Sequence, residues 1–377
     1  MFPIDQHTVF LTLAGSQAHG TARDGSDVDI RGVCVAPLSL RLSLFRSFEQ
    51  YEGDLPEPLA GVAIPRILNH PTASRALATK TECLIFDLAK FLRLCATANP
   101  NALEILFADE QDWLFAAPAW RRIHAERRSF LTKKVQQSFQ GYAMAQLKKI
   151  KTHRSWMLDP PIKRPSREDF GLLTTDVALN RSVRNRIERS IDAKIRSYSI
   201  DDIAMPDSTR LAVRERLHAF CKDALAAKGE GMNEQAQAVA THSLRLPPEA
   251  VSALKAEKNY QLALKRWQSY QAWKAHRSPF RTALEQKHGY DTKHAMHLVR
   301  LMHMGVEALK TGDLRVRRND AAELSAIRDG AVPFDALLTA ISYLQESMEK
   351  AAATTTLPAD VDHMQVDRLF TATLESR

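Results

Sequence analysis

Residues 13–30 read Leu-Ala-Gly-Ser-Gln-Ala-His-Gly-Thr-Ala-Arg-Asp-Gly-Ser-Asp-Val-Asp-Ile, and this segment constrains the fold more than any other in the chain. A β-branched and apolar run, Thr8 to Leu13, stops at Gly15-Ser16, and ten residues later Asp27-Val-Asp29 leads into a second run reaching Ala36. Residues two apart on a strand project from one face, so Asp27 and Asp29 are expected to point the same way. Carboxylates that close repel one another unless a divalent cation lies between them. Mg2+ favours such oxygen ligands and leaves positions for phosphate oxygens. Gly15 allows a close backbone approach to a phosphate, which the Ser16 hydroxyl and nearby amides can hold. A third short run, Glu82 to Phe86, offers Glu82 as a third carboxylate, and the set matches the needs of two-metal phosphoryl transfer. The competing reading is an acidic turn held in solvent. The chain has no G-x-x-x-x-G-K-[ST] sequence, which disfavours a P-loop ATPase.

Beyond these runs the pattern becomes helical. Asp87 is placed to cap a helix from Leu88 to Ala96, Asn99 to start a short one ending near Phe107, and Pro118 to open another. Val135, Phe139, Tyr142, Ala143, Leu147 and Ile150 recur at spacings of three and four, predicting a helix over Phe130–Arg154 with one apolar face. Further helices are predicted over Pro248–Ala275 and Lys293–Lys310, the latter capped by Asp291 and closed by Gly312. Residues 37–80 read as a long surface excursion, and 160–235, with weak periodicity, as short helices and loops. The fold class expected is α+β: a small mixed sheet over 1–110 carrying the site, then a large helical substrate-binding region over 111–377.

The segment Gly15 to Val33, GSQAHGTARDGSDVDIRGV, resembles the nucleotide-transferring signature of the DNA polymerase β superfamily, in the form associated with bacterial RNA repair and RNA ligases. Asn99 to Leu106, Phe130 to Lys134, Gly141-Tyr142, Gln146-Leu147, His153 to Trp156, Gly289 to Leu301 and Val316 to Arg318 extend the resemblance, while 165–245 carries least of it. The resemblance implies that Gly15 and Ser16 cradle the triphosphate of an NTP. It implies that Asp27 and Asp29 bind two Mg2+ (or Mn2+) ions and that Glu82 binds one and helps activate the incoming hydroxyl. Many members of the wider superfamily have Asp at the Glu82 position; Asp87 is the alternative, better suited to a cap. The activity implied is transfer of NMP to an RNA 3′-hydroxyl, such as a damaged tRNA end, with an RNA ligase or other repair enzyme as partner. NMP-ylation of a protein or small molecule, or nucleic-acid binding by a vestigial site, are the other classes.

Charge is distributed unevenly. Residues 1–110 hold 9 Lys/Arg against 13 Asp/Glu, and the remainder 43 against 31, within a net charge of +8. An acidic front and a basic rear suit a metal-using catalytic part joined to a polyanion-holding part. Residues 120–154 contain ten Lys/Arg, among them Lys133, Lys134 and Lys148, and a single acid, Glu126, a composition suited to tracking a phosphate backbone. Arg31 shares a strand face with Asp29 and is read either as a triphosphate or substrate contact or as a salt bridge to a carboxylate. His19 contacts phosphate or base, or packs its loop. Lys293, His297 and Arg300 are expected to bind substrate. His294 and His297 lie three apart, but no carboxylate or thiol pattern completes a metal set around them. Four dispersed cysteines, no apolar run long enough for a membrane span and no basic leader point to a cytoplasmic protein.

Overall fold

The computed structural model describes residues 2–73, 81–172, 181–202, 206–226, 248–275, 277 and 279–375. Five strands, β1 (Thr8–Leu13), β2 (Val28–Cys34), β3 (Gln50–Gly53), β4 (Thr81–Asp87) and β5 (Trp113–Ala116), form one mixed sheet in the order β3-β4-β2-β1-β5. β2 and β4 run parallel, and every other pair is antiparallel. With its helices this is the expected α+β architecture. All six residues of β1 are buried, because strands flank it on both edges. Alternation along the strands divides two cores. Leu11, Leu13, Ile30, Cys83 and Ile85 face a smaller one closed by Leu59, Ala63 and Ile67 of the helix Glu57–Leu68. Phe10, Val33 and Phe86 face a larger one of helices, where Phe10 stacks on Trp120 with ring centroids 3.8 Å apart. Asp29, two residues from Arg31 in β2, alternates with Val28 and Ile30 and so lies on the helix-covered face.

The helices that matter for the site are α1 (Gly15–His19), α2 (Leu88–Ala96), α3 (Pro100–Leu106), α4 (Lys134–Leu158), α5 (Thr292–Thr311) and α6 (Phe334–Thr354). Three expected caps are present. Asp87 accepts the Ala89 N–H, Asn99 those of Asn101 and Ala102, and Asp291 that of His294. Gly312 closes α5 in the left-handed region, φ +65°.

Four differences from the sequence reading have local causes. β3 and β5 are four residues each, too short for alternation to stand out, and β3 is a half-exposed edge strand. The excursion over 37–80 contains β3 and the helix Glu57–Leu68, with 74–80 outside the described residues. α4 starts at Lys134 because Arg127–Phe130 closes a separate 3-10 turn and the Thr132 hydroxyl accepts the Lys134 N–H. Within 160–235 the described residues hold helices of 16 and 20 residues, Arg181–Arg196 and Asp207–Ala226.

The chain divides into two compact units, one of 1–157 with 279–377, the other of 158–278. The boundary expected at residue 110 falls inside the first unit, just before β5 joins the sheet. In the second unit the helix Pro248–Ala275 receives Arg167 through a two-pronged ion pair with Glu257, at 2.8 and 3.3 Å. No described helix is long and apolar enough to cross a membrane.

Candidate active site

The site grows out of the junction between β1 and α1. The Ala14 N–H donates to the Asp29 carbonyl at 2.8 Å, fastening the end of β1 to the start of β2. The chain then turns at Gly15, φ +58°, directly into α1, so Gly15, Ser16 and the first three residues of the expected loop are helical. A Cβ at Gly15 would lie 2.2 Å from Asp29 Oδ2, so only glycine permits this approach of backbone to carboxylate. Asp29 pairs in register with Glu82 on β4, and Arg31 with Leu84. Arg31 donates to Asp29 Oδ1 at 3.3 Å and to the Ile30 carbonyl at 3.0 Å, which leaves Asp29 Oδ2 on the Gly15 side.

Two adjoining clefts meet at Gly15, Asp29 and His297. The smaller, about 170 Å3, is polar: Ser16, Ser26, Asp27, Lys293 and Arg328 line it with those three. The larger, about 400 Å3, is walled by Leu84, Phe86, Ile105, Leu301 and Val316. Its polar lining comes from His19, Arg31, Asn101, Glu104, Tyr142, Gln146 and Arg300. Tyr142 is fixed by a 2.7 Å hydrogen bond from Asn99 Nδ2.

A buried charge cluster stiffens the wall of the larger cleft. Glu104 of α3 takes Arg300 of α5 on Oε1 and His19 of α1 on Oε2, the latter at 3.0 Å. Burial pushes the Glu104 carboxyl up, but the Arg300 charge and His19 outweigh it and hold the group well below the ordinary carboxylate range. Burial and then Arg300 press the His19 imidazole down against the opposing pull of Glu104. His297 is pushed well below its usual value by burial first, then by Arg300 and its other neighbours. The Val316-Arg317-Arg318 segment closes this side. Arg317 pairs with the buried Asp112 at 2.5 Å, and the Arg318 N–H donates to the His19 carbonyl at 3.1 Å.

The structure thus gathers Gly15, Ser16, His19, Asp27, Asp29, Arg31, Lys293, His297 and Arg300 around the two clefts. Glu82, exposed, lines neither cleft, although its Cα stands beside that of Asp29. The ligand oxygens of Asp27, Asp29 and Glu82 do not all lie within 4.8 Å of one another, the three residues being spread from the start of β2 to the neighbouring β4. They are nonetheless hard oxygen donors, and the Gly15 approach leaves no room for a side chain between backbone and Asp29, a combination that fits Mg2+ beside phosphate.

Lys133, Lys134 and Lys148 lie outside the lining of both clefts. Lys134 pairs with Asp360 at 2.5 Å, while Lys133, Lys148, Lys149 and Lys151 are exposed. Much of the remaining basic stretch is engaged within the fold. Arg122 donates to the Ala372 carbonyl, Arg128 pairs with Asp313, and Arg154 donates to the Gly289 carbonyl.

Glu104 and Arg328 were not singled out in the sequence. The signal for Glu104 was present, as the lone charge on a helix whose Pro100, Ala102, Leu103, Ile105 and Leu106 are buried.

Neither a curated protein nor a solved structure matches the chain. A family model does, over residues 4–158, described as the RNA repair pathway DNA polymerase beta family. The matched span contains all five strands, the Gly15-Ser16 turn and the three carboxylates. With the β1–α1 turn, the Asp29 approach and the mixed sheet beneath them, residues 4–158 are similar to the RNA repair pathway DNA polymerase beta family.

Proposed function

We propose that the protein transfers a nucleoside monophosphate from an NTP to an RNA 3′-hydroxyl, such as a damaged tRNA end, and releases pyrophosphate. The observation that carries this reading is the meeting of the two clefts at Gly15, Asp29 and His297. The smaller combines carboxylates with Ser16, Lys293 and Arg328, the mixture that a metal-bound triphosphate requires. The larger has the volume and the half-apolar walls suited to a nucleoside. Asp27, Asp29 and Glu82 are the residues that would hold Mg2+ or Mn2+, which when bound polarises phosphate oxygens and lowers the pKa of an attacking hydroxyl.

In this reading the chain's own groups do the rest. Gly15 brings the backbone up to a phosphate, and the Ser16 hydroxyl donates to one of its oxygens. Lys293 and Arg328 neutralise the charge that spreads over the pyrophosphate as it leaves. Arg31 fixes one oxygen of Asp29 and leaves the other for a ligand. His297, neutral at pH 7, offers a donor and an acceptor without repelling the neighbouring cations. The exposed Lys133, Lys148, Lys149 and Lys151 supply backbone contacts to RNA. An RNA ligase or another repair enzyme acting on the same ends is the implied partner, and the cytoplasm the implied compartment.

The test incubates the purified chain with Mg2+ or Mn2+, each α-labelled NTP, and tRNA, single-stranded RNA or DNA, beside Asp27→Ala/Asp29→Ala. Label on RNA that disappears in the variant supports the proposal and identifies the nucleotide. Label on protein, or on nothing while RNA still binds, rejects it.

A further inference from the structure

Among the described residues, two groups place three metal-ligating atoms within 4.8 Å of one another, and neither belongs to the carboxylate set above. One, His303, Asp320 and Glu323, is already neutralised, since Arg318 donates to Asp320 at 2.9 Å. The other joins distant parts of the chain. His153 near the end of α4, Asp291 at the N-cap of α5 and His294 in the first turn of α5 converge. Asp291 Oδ2 lies 2.7 Å from His294 Nδ1 and 3.2 Å from His153 Nδ1. The two imidazoles meet edge to face at 5.5 Å, and the carboxylate between them is fully buried. Asp291 Oδ1 is occupied as a cap, accepting the His294 N–H at 3.1 Å, so the oxygen turned toward both rings is Oδ2.

We propose that His153, Asp291 and His294 form a second metal site, distinct from the Mg2+ carboxylates, that takes a borderline-soft divalent ion of the Zn2+ class. The donor set of two imidazole nitrogens and one carboxylate oxygen is one that Zn2+ favours and Mg2+ does not. Bonds of about 2.0–2.2 Å at the tetrahedral angle separate ligand atoms by roughly 3.3–3.5 Å. The 3.2 Å pair is already at that spacing, and a small rotation of the His294 ring opens the 2.7 Å pair to it. Three protein ligands leave a fourth position for water or a further donor. The site ties the end of α4 to the start of α5, the helix whose Lys293, His297 and Arg300 line the two clefts. Its role is therefore to set the position of α5. It adds a metal requirement of its own, independent of whether the acceptor is RNA.

The test measures metal content and affinity directly on the full chain. Protein stripped with a chelator is titrated with Zn2+, and separately with Co2+ as a spectroscopic probe, in millimolar Mg2+ to occupy the carboxylates. The expected result is one tight equivalent of Zn2+, with a tetrahedral Co2+ absorption band that also appears in Asp27→Ala/Asp29→Ala. His153→Gln and Asp291→Asn should each weaken binding more than 100-fold. The asparagine keeps the helix cap, and circular dichroism confirms that both variants fold. Absence of a tight equivalent in the wild type, or its survival in both variants, overturns the proposal. Because the readout is metal binding, it stands or falls separately from the nucleotidyl-transfer assay.

Discussion

Replacing Gly15 with alanine tests whether the position of Asp29 governs the chemistry. Two effects follow from the structure. At φ +58° an alanine is less favourable than glycine by about 1–2 kcal/mol, a backbone cost alone. In a unit of this size each kcal/mol lowers Tm by about 2–4 °C. Gly312, φ +65°, is the matched control, because its added Cβ would sit 3.8 Å from Leu357 Cδ2, an ordinary contact outside both clefts. At Gly15 the added Cβ would instead lie 2.2 Å from Asp29 Oδ2, and relief requires the carboxylate to retreat by roughly an ångström. In the metal-holding role proposed for Asp29, a displacement of that size costs about 100-fold in rate. Calorimetry and labelled-nucleotide incorporation should therefore separate the two variants. Both melt a few degrees low, but only Gly15→Ala loses about two orders of magnitude in kcat/KM. Equal losses in the two variants would refute the argument that the Gly15 approach is what sets Asp29.

Three further outcomes are expected. The Glu104 carboxyl is held below the ordinary range, so its stabilisation is present above the unfolded value of about 4.3 and is lost as pH falls through the lower folded value. Glu104→Gln should cost about 3 kcal/mol at pH 7 by leaving Arg300 without its charge partner, and flatten the acid limb of stability against pH, measured by urea unfolding; an acid limb identical to wild type would sink this. His297 is held well below 6.5, so below that pH the unfolded chain binds a proton that the folded chain refuses, and stability falls on acidification. Its ring resonances should stay fixed between pH 8 and 6, and His297→Gln should reduce the slope of stability in that window. Lys148→Ala/Lys149→Ala/Lys151→Ala should lower the slope of log K for single-stranded RNA against log salt by about 2. Lys134→Ala, whose ammonium is already paired with Asp360, should leave that slope unchanged.

The parts of this fold legible in the sequence are those fixed by neighbours in the chain. β1, β2 and β4 are apolar enough to declare themselves, and Asp87, Asn99 and Asp291 cap helices within three residues of where they sit. Gly15 and Asp29 were legible as separate parts of one expected phosphate and metal site, while the packing of the Gly15 backbone against the Asp29 carboxylate was not. What escaped was set by partners far away. Glu104 meets Arg300 across 196 positions, and His153 meets Asp291 across 138. In neither case does local spacing hint at the other partner. The helix Gly15–His19 was hidden for the opposite reason. Its flanking glycines read as a loop, and its hold on the fold comes from buried Gln17, Ala18 and His19 rather than from propensity.

The first unit is interrupted, and this orders events during synthesis. Phe10, Trp120, Phe130 and Phe139 leave the ribosome early, yet the core they enter is completed by Leu298, Met302 and Met348 from beyond the interruption. At ~5–20 residues per second, translating the intervening segment 158–278 takes on the order of ten seconds. Through that interval the nascent sheet lacks the Leu298, Met302 and Met348 side chains that complete its larger core, leaving apolar surface of the kind that chaperones bind. The span 4–158, produced alone, should inherit the same incomplete core and aggregate rather than fold on its own.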